Sequence, residues 1–174
     1  MTLDQLQKIM PNAGAKSGVF FGPLTDAMAE FAINTPARQA AFLAQIAHES
    51  GSLRYTREIA SGNAYEGRAD LGNFRPGDGA LFKGRGLIQI TGRRNYESCS
   101  TALFGRPGVL LANPAMLEKP VEAARSAAWF WWAHGLNALA DAGDFERITR
   151  RINGGLNGQA QRLAFFEQAK KVLS

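Results

Sequence analysis

Apolar residues recur three and four positions apart through most of this chain: Leu3, Leu6 and Ile9; Leu24, Met28, Phe31 and Ala32; Phe42, Leu43 and Ile46; Phe145, Ile148 and Ile152. That spacing lays an apolar stripe along each of several helices, so a mainly α fold is expected. Between residues 61 and 86 the texture changes to SGNAYEGRADLGNFRPGDGALFKGRG, where glycine, asparagine and turn dipeptides displace the helical period. A loop-rich lobe with at most short β-strands is expected there. Pro11, Gly22-Pro23 and Thr35-Pro36 punctuate the first third. Thr35 suits an N-cap and Pro36 a first helical residue, for a helix that runs to about Ser50 and stops at Gly51. Helices are expected again near 93–103, 121–133, 144–152 and 158–173. A chain of 174 residues suits one domain. The expected division is a large helical lobe of residues 1–50 and 92–174 and a smaller lobe of about 51–91, with a cleft between them.

Charge and cysteine content narrow the functional classes. Lys and Arg outnumber Asp and Glu by 20 to 15, a net charge of +5. This favours anionic partners without naming one. The basic residues are scattered among acids rather than gathered in a run, so a nucleic-acid site is not expected. A single cysteine, Cys99, excludes an intramolecular disulfide. It reads as a small apolar filler rather than a nucleophile. With only His48 and His134 beside it, no metal-ligand spacing is present, and neither metal nor cofactor is expected. The longest apolar run, around residues 127–133, is too short to span a bilayer, and the start MTLDQLQKIM lacks the layout of a secretion signal.

Two carboxylates carry the chemical expectation. On a helix from 35 to 50, Phe42, Ile46 and Glu49 share a face. Glu49 is therefore expected to leave an apolar stripe at the helix end and point into the cleft, a setting that raises a carboxyl pKa and suits a general acid. Glu58 and Glu66 both lie downstream. Glu58 sits among Arg54, Arg57 and Arg68, whose charges would keep it ionised as a general base requires, and it is preferred. In Leu87-Ile88-Gln89-Ile90-Thr91 the alternation predicts a strand at the cleft edge, with Gln89 and Thr91 on one side. Trp129, Phe130, Trp131 and Trp132 are consecutive and point around a helix, so most belong to the core.

These segments resemble a known family. HES, YEGRxDLGN, PGDG, GRGLIQITGRxNY and INGGLNG are similar to motifs of family 19 glycoside hydrolases, over residues 35–166. Within that family the likeness is to phage and prophage lysis enzymes before plant and bacterial chitinases. The resemblance implies a lysozyme-like, two-lobed helical fold and inverting hydrolysis of β-1,4 bonds between N-acetylated amino sugars. It makes Glu49 the general acid, Glu58 the general base and Thr91 the hydroxyl that helps hold the attacking water. Gln89, Asn95, Tyr96 and His48 fall to the substrate side. Asn153 and Arg162 match substrate-side or supporting positions.

The expected function is that of an endolysin acting on bacterial cell-wall peptidoglycan. The protein would be made in the bacterial cytoplasm, act as a monomer at the wall after release, and insert stably in no membrane. A chitinase, a lytic transglycosylase and a non-catalytic wall-glycan-binding protein are the alternatives. A transglycosylase would tolerate loss of Glu58, whereas a hydrolase would not.

Overall fold

Local signals set the first helices of the computed structural model, which describes residues 1–174. Helix α1 (Leu3–Ile9) opens on a capping box, in which Thr2 Oγ1 accepts from Gln5 N and Thr2 N donates to Gln5 Oε1. Two end-of-helix donors are thereby satisfied reciprocally. Helix α2 (Lys16–Glu30) departs from expectation, because it runs through Pro23 without a break. An interior proline costs about 3 kcal/mol. Burial of Phe20, Leu24, Ala27 and Met28 along one face offsets it. Helix α3 (Pro36–Glu49) begins as the sequence indicates: Thr35 Oγ1 accepts from Arg38 N, and Pro36 occupies the first position.

Residues 51–92 hold only short 3-10 turns and the four-residue helix α4 (Asp78–Leu81). Regular structure resumes with α5 (Arg93–Phe104), α6 (Gly108–Ala112), α7 (Pro120–Ala133), α8 (Leu136–Asp141), α9 (Phe145–Asn153) and α10 (Gln159–Leu173). Helix α3 is the central post, with every residue from Ala40 to Ala47 buried. Helix α10 packs along it, and α2 packs on α7. No helix is long and apolar enough to cross a membrane.

The apolar interior forms two clusters. The larger gathers α1, α2, α3, α7 and the helices after it, together with Leu53, Leu87 and Ile88. The smaller consists of Phe82, Ile90, Tyr96, Cys99, Leu103, Leu110 and Leu117. Helix α5, assigned from sequence to the large lobe, thus centres a core of its own. Burial pushes the Cys99 thiol up to about 12, which leaves it protonated and inert. Trp131 is fully buried, edge-on to Phe42 at 5.4 Å, while Trp132 is 57% exposed.

The predicted strand at 87–91 does not form. Arg85 and Ile90 instead exchange backbone bonds, Ile90 N to Arg85 O at 2.8 Å and Arg85 N to Ile90 O at 3.2 Å, across a tight loop. Gly86 makes the turn with φ +98°, and a Cβ there would lie 2.8 Å from Ser126 Oγ on α7. The alternation is real but serves two cores: Ile88 joins the large cluster and Ile90 the small one.

Asp78 and Arg93 tie the loops to α5. Arg93 Nε and Nη2 donate to the two Asp78 oxygens at 2.8 and 2.5 Å, and the Asp78 side chain is almost fully buried. The hydrogen bond from Arg93 holds the Asp78 carboxyl below its ordinary range. A depressed folded-state pKa adds stability above the unfolded value, near 3.9, and that stability is lost as pH falls through the folded value. Urea midpoints should therefore fall more steeply below about pH 4 in the wild type than in Asp78→Asn, which should be the weaker protein at pH 7.

Candidate active site

Glu49 is the last residue of α3, and its carboxylate does not face an apolar wall as the sequence suggested. Arg162 of α10 reaches it, with Nη2 at 2.6 Å from Glu49 Oε1, in a contact too oblique to be a hydrogen bond. Arg162 is fully buried. Its guanidinium also donates to Gln45 Oε1 and, at 3.1 Å, to Asn157 O. Gln45 in turn donates to Thr149 Oγ1 at 3.0 Å. A buried polar chain from α9 and α10 thus ends on Glu49. Arg162 is closed off from any substrate, so its role is support of the carboxylate.

Glu58 is pinned by backbone pairing: Glu58 N donates to Gly84 O at 3.0 Å, and Gly86 N to Thr56 O at 2.9 Å. Its Oε2 accepts from Tyr65 Oη at 3.0 Å, while Oε1 is buried and makes no hydrogen bond. Burial first, and the bond to Glu58 second, hold the Tyr65 hydroxyl above its ordinary range. Of the three arginines expected to surround Glu58, Arg54 is exposed and unpaired and the other two are engaged elsewhere. Arg57 lies 3.6 Å from Glu118, and Arg68 pairs with Asp70. Glu66 is excluded from comparable chemistry, since its two oxygens accept from Gly77 N and Gly79 N at 2.6 and 2.7 Å. Both are needed where the loop enters α4.

Gly84 stands between Glu58 and Gln89. A Cβ there would run into the Gln89 amide and lie 2.9 Å from Glu58 Oε2. Gly84→Ala is therefore expected to leave the fold intact, because both obstructed groups are side-chain ends, yet to displace them and lower activity about 100-fold. A thermal melt and a rate on the same preparation check it.

The other expected site residues divide. Thr91 and Gln89 are half-buried near the start of α5, and Asn95 is exposed with Nδ2 donating to Thr91 O at 2.7 Å. Tyr96 is a correction to the sequence reading. It is fully buried against Phe82, its hydroxyl donating to Lys83 O at 2.6 Å and accepting from Arg85 at 3.0 Å, and it presents nothing to a substrate. His48 turns toward α10, where Nδ1 lies 2.6 Å from Gln161 Oε1 and the ring lies against Gly158, whose φ is +72°. It joins two helices rather than lining the hollow at Glu58. Asn153 is exposed at the end of α9. Tyr65 escaped the sequence reading although it lies within the quoted YEGR motif, seven residues from Glu58.

A hollow of about 320 Å³ opens beside Glu58, lined by Arg54, Tyr55, Thr56, Arg57, Ile59 and Glu118. The arrangement supplies one carboxylate backed by a buried cation and a second with a free buried oxygen.

No protein-family model matches the sequence. A glycosyl hydrolase family 19 domain-containing protein of Haemophilus influenzae is 32% identical over 163 residues, which cover 74% of this chain and 76% of that protein. The chain belongs to glycoside hydrolase family 19. An endochitinase of Arabidopsis thaliana is 42% identical over 117 residues, but this chain spans only 39% of its length. Chitinase C of Streptomyces griseus superposes with a TM-score of 0.81 at 28% identity, over 99% of this chain and 76% of that one. A bacterial family 19 chitinase gives 0.80 at 25% identity, over 99% and 94%. This family 19 protein thus has the mainly helical, lysozyme-like fold of its structural neighbours and is a glycoside hydrolase.

Proposed function

We propose that this family 19 hydrolase cuts β-1,4 bonds between the N-acetylated amino sugars of peptidoglycan, with inversion. The carrying observation is the Glu58 carboxylate, held through one oxygen by Tyr65 while the other is buried with no hydrogen bond. Tyr65 fixes one oxygen of this carboxylate and leaves the other without a partner, so a water that enters beside it with the substrate would find an unused acceptor for its proton, as a general base must provide. Glu49 protonates the leaving sugar oxygen. Thr91 helps to hold the water, while Gln89 and Asn95 offer donors and acceptors to sugar hydroxyls and N-acetyl groups.

Peptidoglycan is preferred because Arg54, which forms no ion pair, lines the hollow at Glu58, where stem peptides would bring carboxylates, and because the whole chain carries a net charge of +5. The protein is proposed to reach the wall as a monomer from the bacterial cytoplasm. Chitin cleavage is the second reading, favoured by likeness to proteins named endochitinases and chitinases. Mass spectrometry of products from purified peptidoglycan and from chitin oligomers separates them. Reducing-end muropeptides support the proposal; products from chitin alone replace it with the second reading, and anhydro ends mean a transglycosylase.

A further inference from the structure

The segment between Glu49 and Glu58 contains three successive left-handed residues: Gly51 (φ +58°), Ser52 (φ +59°) and Leu53 (φ +65°). Left-handed backbone costs roughly 1–2 kcal/mol for each non-glycine residue and persists only where surroundings impose it. They do so here. Leu53 is fully buried in the large cluster. Ser50 Oγ donates to Ile46 O at 2.6 Å and accepts from Leu53 N at 2.8 Å, and Ser52 N donates to Ala47 O at 2.8 Å.

With Leu53 drawn inward, the next two residues emerge. Arg54 and Tyr55 are exposed, Tyr55 by 45%. A Cβ on Gly51 would lie 3.1 Å from the Tyr55 ring, so the ring rests on the bare backbone of the turn. Both side chains line the hollow at Glu58 and a second one of about 180 Å³ bounded by His48, Gln161 and Asn12. Glu118, the other acid of the first hollow, is occupied by Arg85 at 2.8 Å and Arg57 at 3.6 Å. Arg54 forms no ion pair and is the unengaged cation of both.

We infer that Arg54 and Tyr55 form a subsite for a sugar unit carrying an anionic substituent, Tyr55 packing on the sugar ring and Arg54 pairing with a stem-peptide carboxylate. This rests on the proposed peptidoglycan reading. An aromatic ring offers an apolar face to a sugar, and a guanidinium takes a carboxylate in bidentate fashion.

Steady-state rates on glycan strands bearing stem peptides, and on uncharged chitin oligomers, test it with exposed-site variants. Arg54→Ala should raise KM about tenfold on the peptide-bearing strands, with kcat within twofold, and leave chitin oligomers unaffected. Tyr55→Ala should raise KM on both substrates, and Tyr55→Phe should restore it. An equal effect of Arg54→Ala on both substrates, or none on either, overturns the subsite. Titration of a soluble disaccharide-peptide keeps the two proposals apart. If the wild type cuts chitin alone, the peptidoglycan reading fails, and the subsite stands only if the disaccharide-peptide binds and Arg54→Ala weakens it about tenfold; absent or unaltered binding overturns it.

Discussion

Glu49→Gln should lower glycan cleavage by a factor of about 10² to 10⁴, the range over which a positioned acid acts on a poor leaving group. The amide keeps the carboxylate's shape while removing its proton and charge, so the loss should appear in kcat with little change in KM. The decisive contrast is the leaving group. A nitrophenyl glycoside departs without much protonation, so Glu49→Gln should lose much less on it than on a natural strand. Glu58→Gln removes activation of water, which both substrates need, and should lose comparably on both. Equal losses in the two variants on both substrates would show that the acid and base roles are misassigned.

Arg162→Met should produce the largest loss of stability. Arg162 is fully buried, 2.6 Å from Glu49 and bonded to Gln45 and Asn157. Removing one partner of a buried pair costs about 3–5 kcal/mol, because the other charge is left uncompensated. Glu49 keeps some solvent contact, at 21% side-chain exposure, so the lower end is expected, about 3 kcal/mol. Denaturant unfolding of Arg162→Met, alone and combined with Glu49→Gln, measures the coupling. The second substitution removes the stranded charge, so the double variant should recover part of the loss. Simple additivity would mean that the contact contributes nothing.

What the sequence disclosed follows from the range of each signal. Thr35-Pro36 and Gly51 act on their own backbone, and the helix between them is where the sequence puts it. Gly22-Pro23 is equally local and misleads, since burial of Phe20, Leu24 and Met28 outweighs the proline. The alternation at 87–91 reads as a strand because the eye assumes one core, whereas Ile88 and Ile90 belong to different clusters. At the site, residue types were legible and directions were not. Tyr96 sits within the motif block yet points inward to Lys83 and Arg85. The surroundings of Glu49 were the least legible, because Arg162 arrives from a helix more than a hundred residues away. The sequence prefers Glu58 to Glu66 for its arginine neighbours, whereas the structure separates the two by the backbone donors of Gly77 and Gly79 on Glu66 and by Tyr65 on Glu58.

The central claim is a water-using, two-carboxylate hydrolysis at Glu49 and Glu58. Proton NMR of the anomeric region during the first minutes of cleavage tests it most directly. An α-anomer that appears first and then mutarotates is the predicted result, because water directed by Glu58 attacks the face opposite the leaving group. A β-anomer formed first, or an anhydro sugar with no new reducing end, would contradict it.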